Sequence, residues 1–238
     1  MLADTPAAYI SAVTIVYSGY LGDFSLSGTE TRIMEKVKNL LGRLRDNGMN
    51  AIFVPTAQQA KAKVLGMIPR EAEVGIGGSV TIRQMGLLEA LFERGNEVCE
   101  HWQSGSTKDE RMQMARKAVS ADYYLSSSNA VTMDGKLVNT DNTGNRVSAL
   151  VFGPQHVIVV VGVNKIVRDV DAGIRRIKEK AAPLNCQRRK DNTPCAKGKK
   201  CPDCNSPDRL CRVTSIIEKK TRGIRSLSVI IVGEELGY

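Results

Sequence analysis

Cysteines near the C-terminus have the types and the spacing of a metal site. The pattern C-x5-C-x2-C-x6-C is formed by Cys195, Cys201, Cys204 and Cys211. A C-x2-C pair presents two thiolates to one metal centre, and two further cysteines complete a four-sulfur cage. We therefore expect a metal centre in a loop at residues 183–212, with Cys186 as a candidate replacement for one of the four ligands.

The identity of this metal is left open by the cysteine pattern. Ligation by thiolates alone is consistent with a 4Fe-4S cluster and with a zinc ion. The loop contains no histidine, which excludes a mixed Cys/His zinc site. Disulfides are the alternative, but they are rare in the cytosol, where we expect this chain. Cys99 lies in a strand-like segment, and we interpret it as a small buried hydrophobic residue.

A glycine-rich turn is the second candidate site. The segment GIGGSVT follows a predicted strand and opens a predicted helix, and it contributes Gly75, Gly77, Gly78, Ser79 and Thr81. Glycines allow a ligand to approach the backbone closely, and helix N–H groups attract anions. The segment lacks the dinucleotide spacing G-x-G-x-x-G and a P-loop lysine. A small anion site and a tight structural turn both remain open.

A polar segment between two predicted buried elements is the third candidate site. It offers donors, acceptors and one guanidinium suited to a carboxylate, on Asn129, Asp141, Gly144, Asn145 and Arg146. A solvated hairpin followed by a capped helix is the structural alternative. Glu235 follows the last predicted strand, at the edge of the sheet where α/β proteins bind ligands. No nucleophile–base pattern surrounds His101 or His156, so we name no catalytic residue.

The elements that must position these residues alternate between helices and strands. Apolar positions at helical spacing around Leu40 predict a first helix, and the run HVIVVVGV predicts a buried strand. Further helices are predicted from about Ser79 to Arg94 and over Val167 to Ala181. Asp134-Gly135 predicts a tight hairpin turn. We expect an α/β fold with a mainly parallel sheet covered by helices on both faces. Residues 1–28 are predicted as a separate helix, Ala7 to Ser18, and a linker, and residues 29–238 as the domain.

The charge and the hydropathy exclude some classes of protein. The net charge of +9 is concentrated in residues 186–225, which hold twelve Lys and Arg against four Asp and Glu. These residues include no aromatic side chain, which argues against a nucleic-acid surface. No apolar run is long enough to span a membrane. A secretory signal begins with basic residues, but no Lys or Arg precedes Arg32. We therefore expect a cytoplasmic protein.

Four long segments together resemble the lactate-utilisation (LUD) domain family, in its single-domain form with a C-terminal cysteine loop. They are GIGGSVTIRQMGL, SSNAVTMDGKLVNTDNTGNRVSALVFGP, VIVVVGVNKIVRDVDAGIRRIKEKAAPLN and VIIVGEELGY, and the resemblance covers roughly Glu30 to Tyr238. It implies a fold related to the ribose-phosphate isomerase and CoA-transferase group. It also implies a link to lactate oxidation alongside iron–sulfur partner proteins, with the glycine turn and the polar segment forming one ligand pocket.

Two hypotheses of function follow. In the first, the protein belongs to organic-acid metabolism and binds a small anion, a carboxylate or a phosphate ester, while the metal loop serves structure or electron transfer. In the second, it is a non-catalytic redox or interaction module whose basic loop contacts an acidic partner. Convergence of the glycine turn and the polar segment on one concave pocket would favour the first hypothesis, and a flat surface would favour the second.

Overall fold

A computed structural model describes residues 28–102, 105–198 and 200–238, with side chains from residue 35 onward. The helix predicted at Ala7 to Ser18 and its linker lie outside the described residues. The helices are α1 (Gly28–Asp46), α2 (Ala57–Met67), α3 (Val80–Gln84), α4 (Leu87–Glu93), α5 (Lys108–Val119), α6 (Asn145–Ala149), α7 (Val170–Arg176) and α8 (Ala182–Arg189). The strands are β1 (Asn50–Val54), β2 (Val74–Ile76), β3 (Val98–Glu100), β4 (Tyr123–Ser126), β5 (Ala130–Thr132), β6 (Leu137–Asp141), β7 (His156–Gly162), β8 (Ile166–Val167), β9 (Val213–Ile217) and β10 (Ser226–Val232).

The main sheet has six parallel strands in the order β1-β10-β7-β4-β2-β3. Its central strand β7 is the apolar run that the sequence predicted to be buried, and six of its seven residues are buried. β-branched side chains suit such a strand because both of its faces are covered. The predicted α/β class and the parallel sheet are therefore confirmed.

Helices cover both faces of this sheet, and the alternation of side chains along β7 assigns them. Val157 and Val159 pack on one side with Leu40 of α1, while Ile158 packs on the other side with Val64 of α2. Successive side chains of a strand point to opposite faces, so one strand contributes to two separate cores. The result is a three-layer arrangement whose strands all end at the same edge.

A second sheet, which the sequence analysis did not predict, holds four strands in the order β8-β5-β6-β9. Its β5–β6 hairpin turns at Asp134-Gly135, as predicted, and Gly135 has a φ of +82°. A side chain at Gly135 would also lie 2.8 Å from the backbone of α1. Strand β9 pairs antiparallel with β6, which brings the end of the cysteine loop next to the polar segment.

Two predicted helices differ from the observed ones. The helix predicted from Ser79 to Arg94 is divided at Gly86, whose φ of +59° ends one helical segment before the next begins. The helix predicted to end at Ala181 instead continues to Arg189, through a wider π-helical turn at Ile177–Ala181. Such a bulge accommodates Pro183, whose nitrogen cannot donate to the helix. The first part of the predicted metal loop is therefore helical, and Cys186 lies on α8.

No helix in the described ranges has the length and apolar character needed to cross a membrane. This agrees with the hydropathy of the sequence.

Candidate functional site

A polar pocket of about 120 Å³ opens at the carboxyl edge of the main sheet. Segments that follow β2, β3, β4, β7 and β10 meet there with the end of β6 and the helix around Ala182. Its lining includes Gly78, Ser79, Thr81, Trp102, Ser127, Ser128, Asn129, Thr140, Asp141, Asn142, Arg146, Lys165, Asn185, Leu210, Cys211 and Tyr238. The glycine turn and the polar segment therefore converge on one concave pocket, at the edge where parallel sheets bind ligands.

Lys165 contributes a buried amine to the wall of this pocket. It closes a short 3₁₀ turn after β7, and only 3% of its surface is exposed. Its ammonium Nζ donates to the Thr81 hydroxyl at 2.8 Å and to the Ser127 hydroxyl at 2.9 Å, and both of these residues also line the pocket. In the part of the chain that the structure describes, no carboxylate forms a salt bridge with this amine.

The pKa of Lys165 reflects this environment. The pKa of the amine is lowered from 10.5 to about 7, mainly by burial and also by the positive charges of Arg176 and Arg146. Removal from water disfavours the charged form of an amine, and nearby cations do the same. Lys165 therefore exchanges its proton near neutral pH, unlike a lysine in solvent.

Arg146 has a different role, because protein groups occupy its guanidinium. Its five N–H groups donate to the Asp141 carboxylate at 3.0 Å and to four further oxygens between 2.6 and 3.0 Å, on Ser127, Asn129, Asn139 and Thr140. Asp141 also accepts from the backbone N–H of Val147 at 3.0 Å and so caps α6. Arg146 and Asp141 form a rigid floor under the pocket.

The glycine turn forms the opposite wall. Gly78 lies beneath Trp102, and a β-carbon at Gly78 would come within 2.8 Å of the indole ring. Ser79 caps α3 by accepting from the N–H of Ile82 at 3.3 Å, while Thr81 holds the amine of Lys165. In this turn an indole ring contacts the backbone at Gly78, and the approach of a ligand to the glycines stays a prediction.

Five of the residues predicted to bind ligand lie outside the pocket lining. They are Gly75, Gly77, Gly144, Asn145 and Glu235. The first two pack inward: a β-carbon at Gly75 would lie 2.1 Å from a carbonyl of α5, and one at Gly77 would lie 2.6 Å from the Tyr124 hydroxyl. Gly144 precedes α6 with a φ of +88°, and Glu235 is exposed to solvent.

Asn145 instead lines a wide, basic groove beside the pocket. The groove has a volume of about 960 Å³ and shares Trp102 and Asn142 with the pocket. The guanidinium groups of Arg83 and Arg188 both lie 4.5 Å from the centroid of the Trp102 ring, and they hold the indole in place by cation–π contact. Trp102 is therefore a fixed ridge between the pocket and the groove.

The cysteines of the predicted metal loop surround a second, smaller cavity of about 20 Å³. It is lined by Cys186, Cys195, Cys201, Cys204 and Cys211 together with Lys178, Thr193, Arg209 and a few neighbours. Arg209 fastens the loop by donating to the carbonyl oxygens of Cys204 and Cys211, both at 2.7 Å. Burial raises the pKa of the Cys186 thiol to about 11 and also raises the pKa of Cys211, whose thiol lies near those of Cys201, Cys195 and Cys204.

Around this cavity the sulfur atoms are spread out. Within the described ranges, three or more metal-ligating atoms lie within 4.8 Å of one another at one place, Glu73, Glu97 and Cys99. The ammonium of Lys117 already bridges those two carboxylates, at 3.1 and 2.5 Å, so this group is an ion-pair cluster. Cys99 is buried as predicted and donates to Glu73 at 3.1 Å.

The pocket and the cysteine cavity share a wall. Ala182, Leu210 and Cys211 line both of them. Arg212 connects the two further, because its backbone N–H donates to the carbonyl of Asp141 at 3.0 Å and its guanidinium donates to Asn142 at 3.1 Å. The end of the cysteine loop is thereby fixed to the pocket floor.

Sequence reasoning missed Lys165, Ser127, Trp102 and Tyr238. Ser127 directly follows β4, and Lys165 lies three residues after β7, so both are at the carboxyl ends of buried strands, as Glu235 is after β10. The same rule, applied to every predicted strand, would have found both. Trp102 lies two residues after β3, so the same rule indicates it too, but its stacking on Arg83 and Arg188 carries no sequence signal because these arginines are distant from each other in sequence.

Fold and site define an α/β protein whose parallel sheet carries a small polar pocket at its carboxyl edge. The sequence matches the family model of the LUD domain over residues 37–232. The chain therefore belongs to the LUD domain family, as the sequence motifs predicted. Among curated proteins, none matches the sequence. A crystal structure of a DUF162 family protein from Deinococcus radiodurans is similar, with 16% identity and a TM-score of 0.46, over 84% of this chain and 97% of that one.

Proposed function

We propose that the pocket binds a small organic acid as its carboxylate anion, with Lys165 as the cation that receives it. The observation that carries this proposal is a buried amine whose two protein partners are hydroxyl groups. A buried charge is stable only when it is paired, and a ligand carboxylate would supply the missing negative charge. Arg146, which we predicted as the carboxylate ligand, would instead position Asn129 and Asp141 around the anion.

The size of the pocket restricts the ligand. A volume of about 120 Å³ is below the ~300–1,000 Å³ of sites that hold drug-sized molecules, so the ligand is small. The lining is mainly hydroxyl, amide and charged groups, which favours a compact polar acid of the size of lactate. A phosphate ester of similar size remains the alternative ligand. The link to lactate rests on the family resemblance and not on the pocket itself.

The cysteine cavity supports the second part of the proposal, a metal centre on Cys195, Cys201, Cys204 and Cys211. Zinc holds sulfur ligands at about 2.3 Å, which would place tetrahedral sulfur atoms roughly 3.8 Å apart. The described cysteines contain no group of three sulfur atoms within 4.8 Å. A 4Fe-4S cluster separates its thiolates more widely, since irons and sulfides lie between them, and the proposed centre is either of these two. Lys178 and Arg209 would balance part of its negative charge.

Convergence on a concave pocket favours the first hypothesis over a purely non-catalytic interaction module. The basic surface around the loop still fits an acidic redox partner, such as an iron–sulfur protein, and such a partner would complete electron transfer from the centre. We also propose, from the sequence pattern, a cytoplasmic location.

A binding experiment tests the pocket. We expect lactate to stabilise the wild-type protein in a thermal-shift titration and to show saturable binding by isothermal titration calorimetry. Lys165→Met should remove this binding, because it deletes the cation with little change in side-chain volume. Lys63→Met, an exposed lysine on α2, is the matched control and should bind as the wild type does. Equal affinity of wild type and Lys165→Met for a panel of small carboxylates and phosphate esters would refute the pocket assignment.

Metal analysis of anaerobically purified protein tests the centre. A cluster would give a broad absorption near 400 nm together with iron and acid-labile sulfide, whereas zinc would be colourless. Cys211→Ser should lower the metal content, and Cys99→Ser, which alters a buried cysteine outside the loop, is the control. Metal-free wild-type protein after anaerobic preparation and reconstitution would contradict the proposal.

A further inference from the structure

We propose that Lys165 is also a nucleophile, which condenses with the carbonyl group of a 2-oxo acid to form an imine in the pocket. This inference rests on the proposed function, since it assumes that small acids enter the pocket, and it narrows the ligand class to acids that carry a carbonyl beside the carboxylate. Pyruvate is the simplest such acid.

The geometry around the amine carries the inference. An amine attacks a carbonyl when it is neutral and reachable by the ligand, and a fixed orientation accelerates the attack. Lys165 meets these conditions because it lies in the pocket wall, no carboxylate pairs with it in the described chain, and two hydroxyl groups fix its Nζ at 2.8 and 2.9 Å. A lysine that served only to stabilise the fold would be expected to have a carboxylate partner.

The charges that face Lys165 come from three sides. Arg176 of α7 and Arg146 of α6 act on it as cations, and both favour the neutral amine. The carboxylate of Asp141 also lines the pocket, but it is held by Arg146 at 3.0 Å and by the N–H of Val147. The surroundings therefore favour a neutral, nucleophilic amine near neutral pH.

The condensation balances without any oxidant or reductant. The nitrogen lone pair of Lys165 forms a bond to the carbonyl carbon, and a proton moves from nitrogen to the oxygen to give a carbinolamine. Loss of that oxygen as water produces the imine, and water reverses both steps. The hydroxyl groups of Thr81 and Ser127 lie beside the reacting nitrogen and can pass the protons. A protonated imine keeps its positive charge next to the carboxylate of the acid.

Reductive trapping tests the proposal. The intact protein is incubated with pyruvate and sodium cyanoborohydride, which reduces imines to stable amines, and is then analysed by mass spectrometry. We expect one adduct, with the mass of pyruvic acid less one oxygen atom, on the peptide that contains Lys165. Because the neutral amine reacts, the initial rate of trapping, measured with pyruvate saturating at each pH, should rise at least about tenfold from pH 6 to pH 8, since the pKa of the free amine is about 7 and a bound carboxylate raises it. Lactate, which has no carbonyl, should give no adduct.

Controls separate this inference from the proposed function. Lys165→Arg retains a cation and should still bind lactate. If this variant binds lactate but forms no adduct, Lys165 is the nucleophile. If the wild-type protein binds lactate but yields no adduct, the imine proposal is refuted while the proposed carboxylate site is retained. Adducts distributed equally over exposed lysines would also refute the imine proposal. Peptide mapping of the wild-type protein measures this distribution, so the test does not depend on a Lys165 variant that folds poorly. Ser127→Ala should slow trapping without moving the adduct to another residue.

Discussion

The affinity of the pocket for lactate should fall as the pH rises through neutrality. The perturbation is pH alone, applied to the wild-type protein. With the pKa of Lys165 at about 7, the amine is about nine-tenths protonated at pH 6 and about one-tenth protonated at pH 8. Lactate remains an anion across this range and is expected to bind the protonated amine. The association constant should therefore drop about tenfold from pH 6 to pH 8, or about 1.4 kcal/mol of binding free energy.

Isothermal titration calorimetry in buffers of different ionisation enthalpy measures both the affinity and the proton uptake. At pH 7 binding should take up about half a proton per site, because half of the free amines need one. Lys165→Arg keeps its charge at all these pH values, so its affinity should not depend on pH. His101 also has a pKa lowered by burial, but it lines the groove and not the pocket.

A wild-type affinity that is constant between pH 6 and pH 8 would refute the reasoning. So would an unchanged pH dependence in Lys165→Met, because the titrating group would then lie elsewhere. Proton release in place of uptake would show that the neutral amine binds the acid.

Further predictions concern stability. Unliganded wild-type protein should gain stability as the pH rises from about 7 towards 10.5, since the unfolded chain binds more protons there, and Lys165→Met should lose this gain in urea titrations at different pH. Arg146→Met should destabilise the protein by about 3–5 kcal/mol in urea unfolding, because the Asp141 carboxylate is left buried without its cation; a loss below 1 kcal/mol would contradict its role as the pocket floor. Gly77→Ala should cost about 1–3 kcal/mol by contact with the Tyr124 hydroxyl, and Tyr124→Phe in the same chain should restore most of it. An equal cost of Gly77→Ala in both backgrounds would exclude that contact.

The main sheet could be predicted from sequence because its signals are local. Strands β1, β7 and β10 are short runs of mainly apolar residues, and β7 is apolar along almost its whole length. The second sheet could not be predicted in the same way. Its strands β8 and β9 are two and five residues long, and both outer pairings join segments distant in sequence.

The site could be predicted in part for the same reason. Gly78, Ser79 and Thr81 lie in one local turn, so their clustering was visible in the sequence. The role of Arg146 could not be predicted from the sequence, because a guanidinium binds a ligand carboxylate and the Asp141 carboxylate equally well. Only the fold decides which of the two it contacts. Lys165 was missed because a lysine after a strand looks like a solvated residue until the segment after β10 covers it.

The wall formed by Leu210 and Cys211 has a consequence for how tightly a ligand binds. Any movement of Cys211 changes the lining of the pocket and of the cysteine cavity together. Coupling between two sites is reciprocal in binding free energy, so a centre that fixes Cys211 and tightens binding of the acid would itself be held more tightly, by the same free energy, when the acid is bound. Oxidation or stripping of the cysteines would then weaken binding of the acid without any change to Lys165. The affinity of the pocket would thus record the state of the thiols.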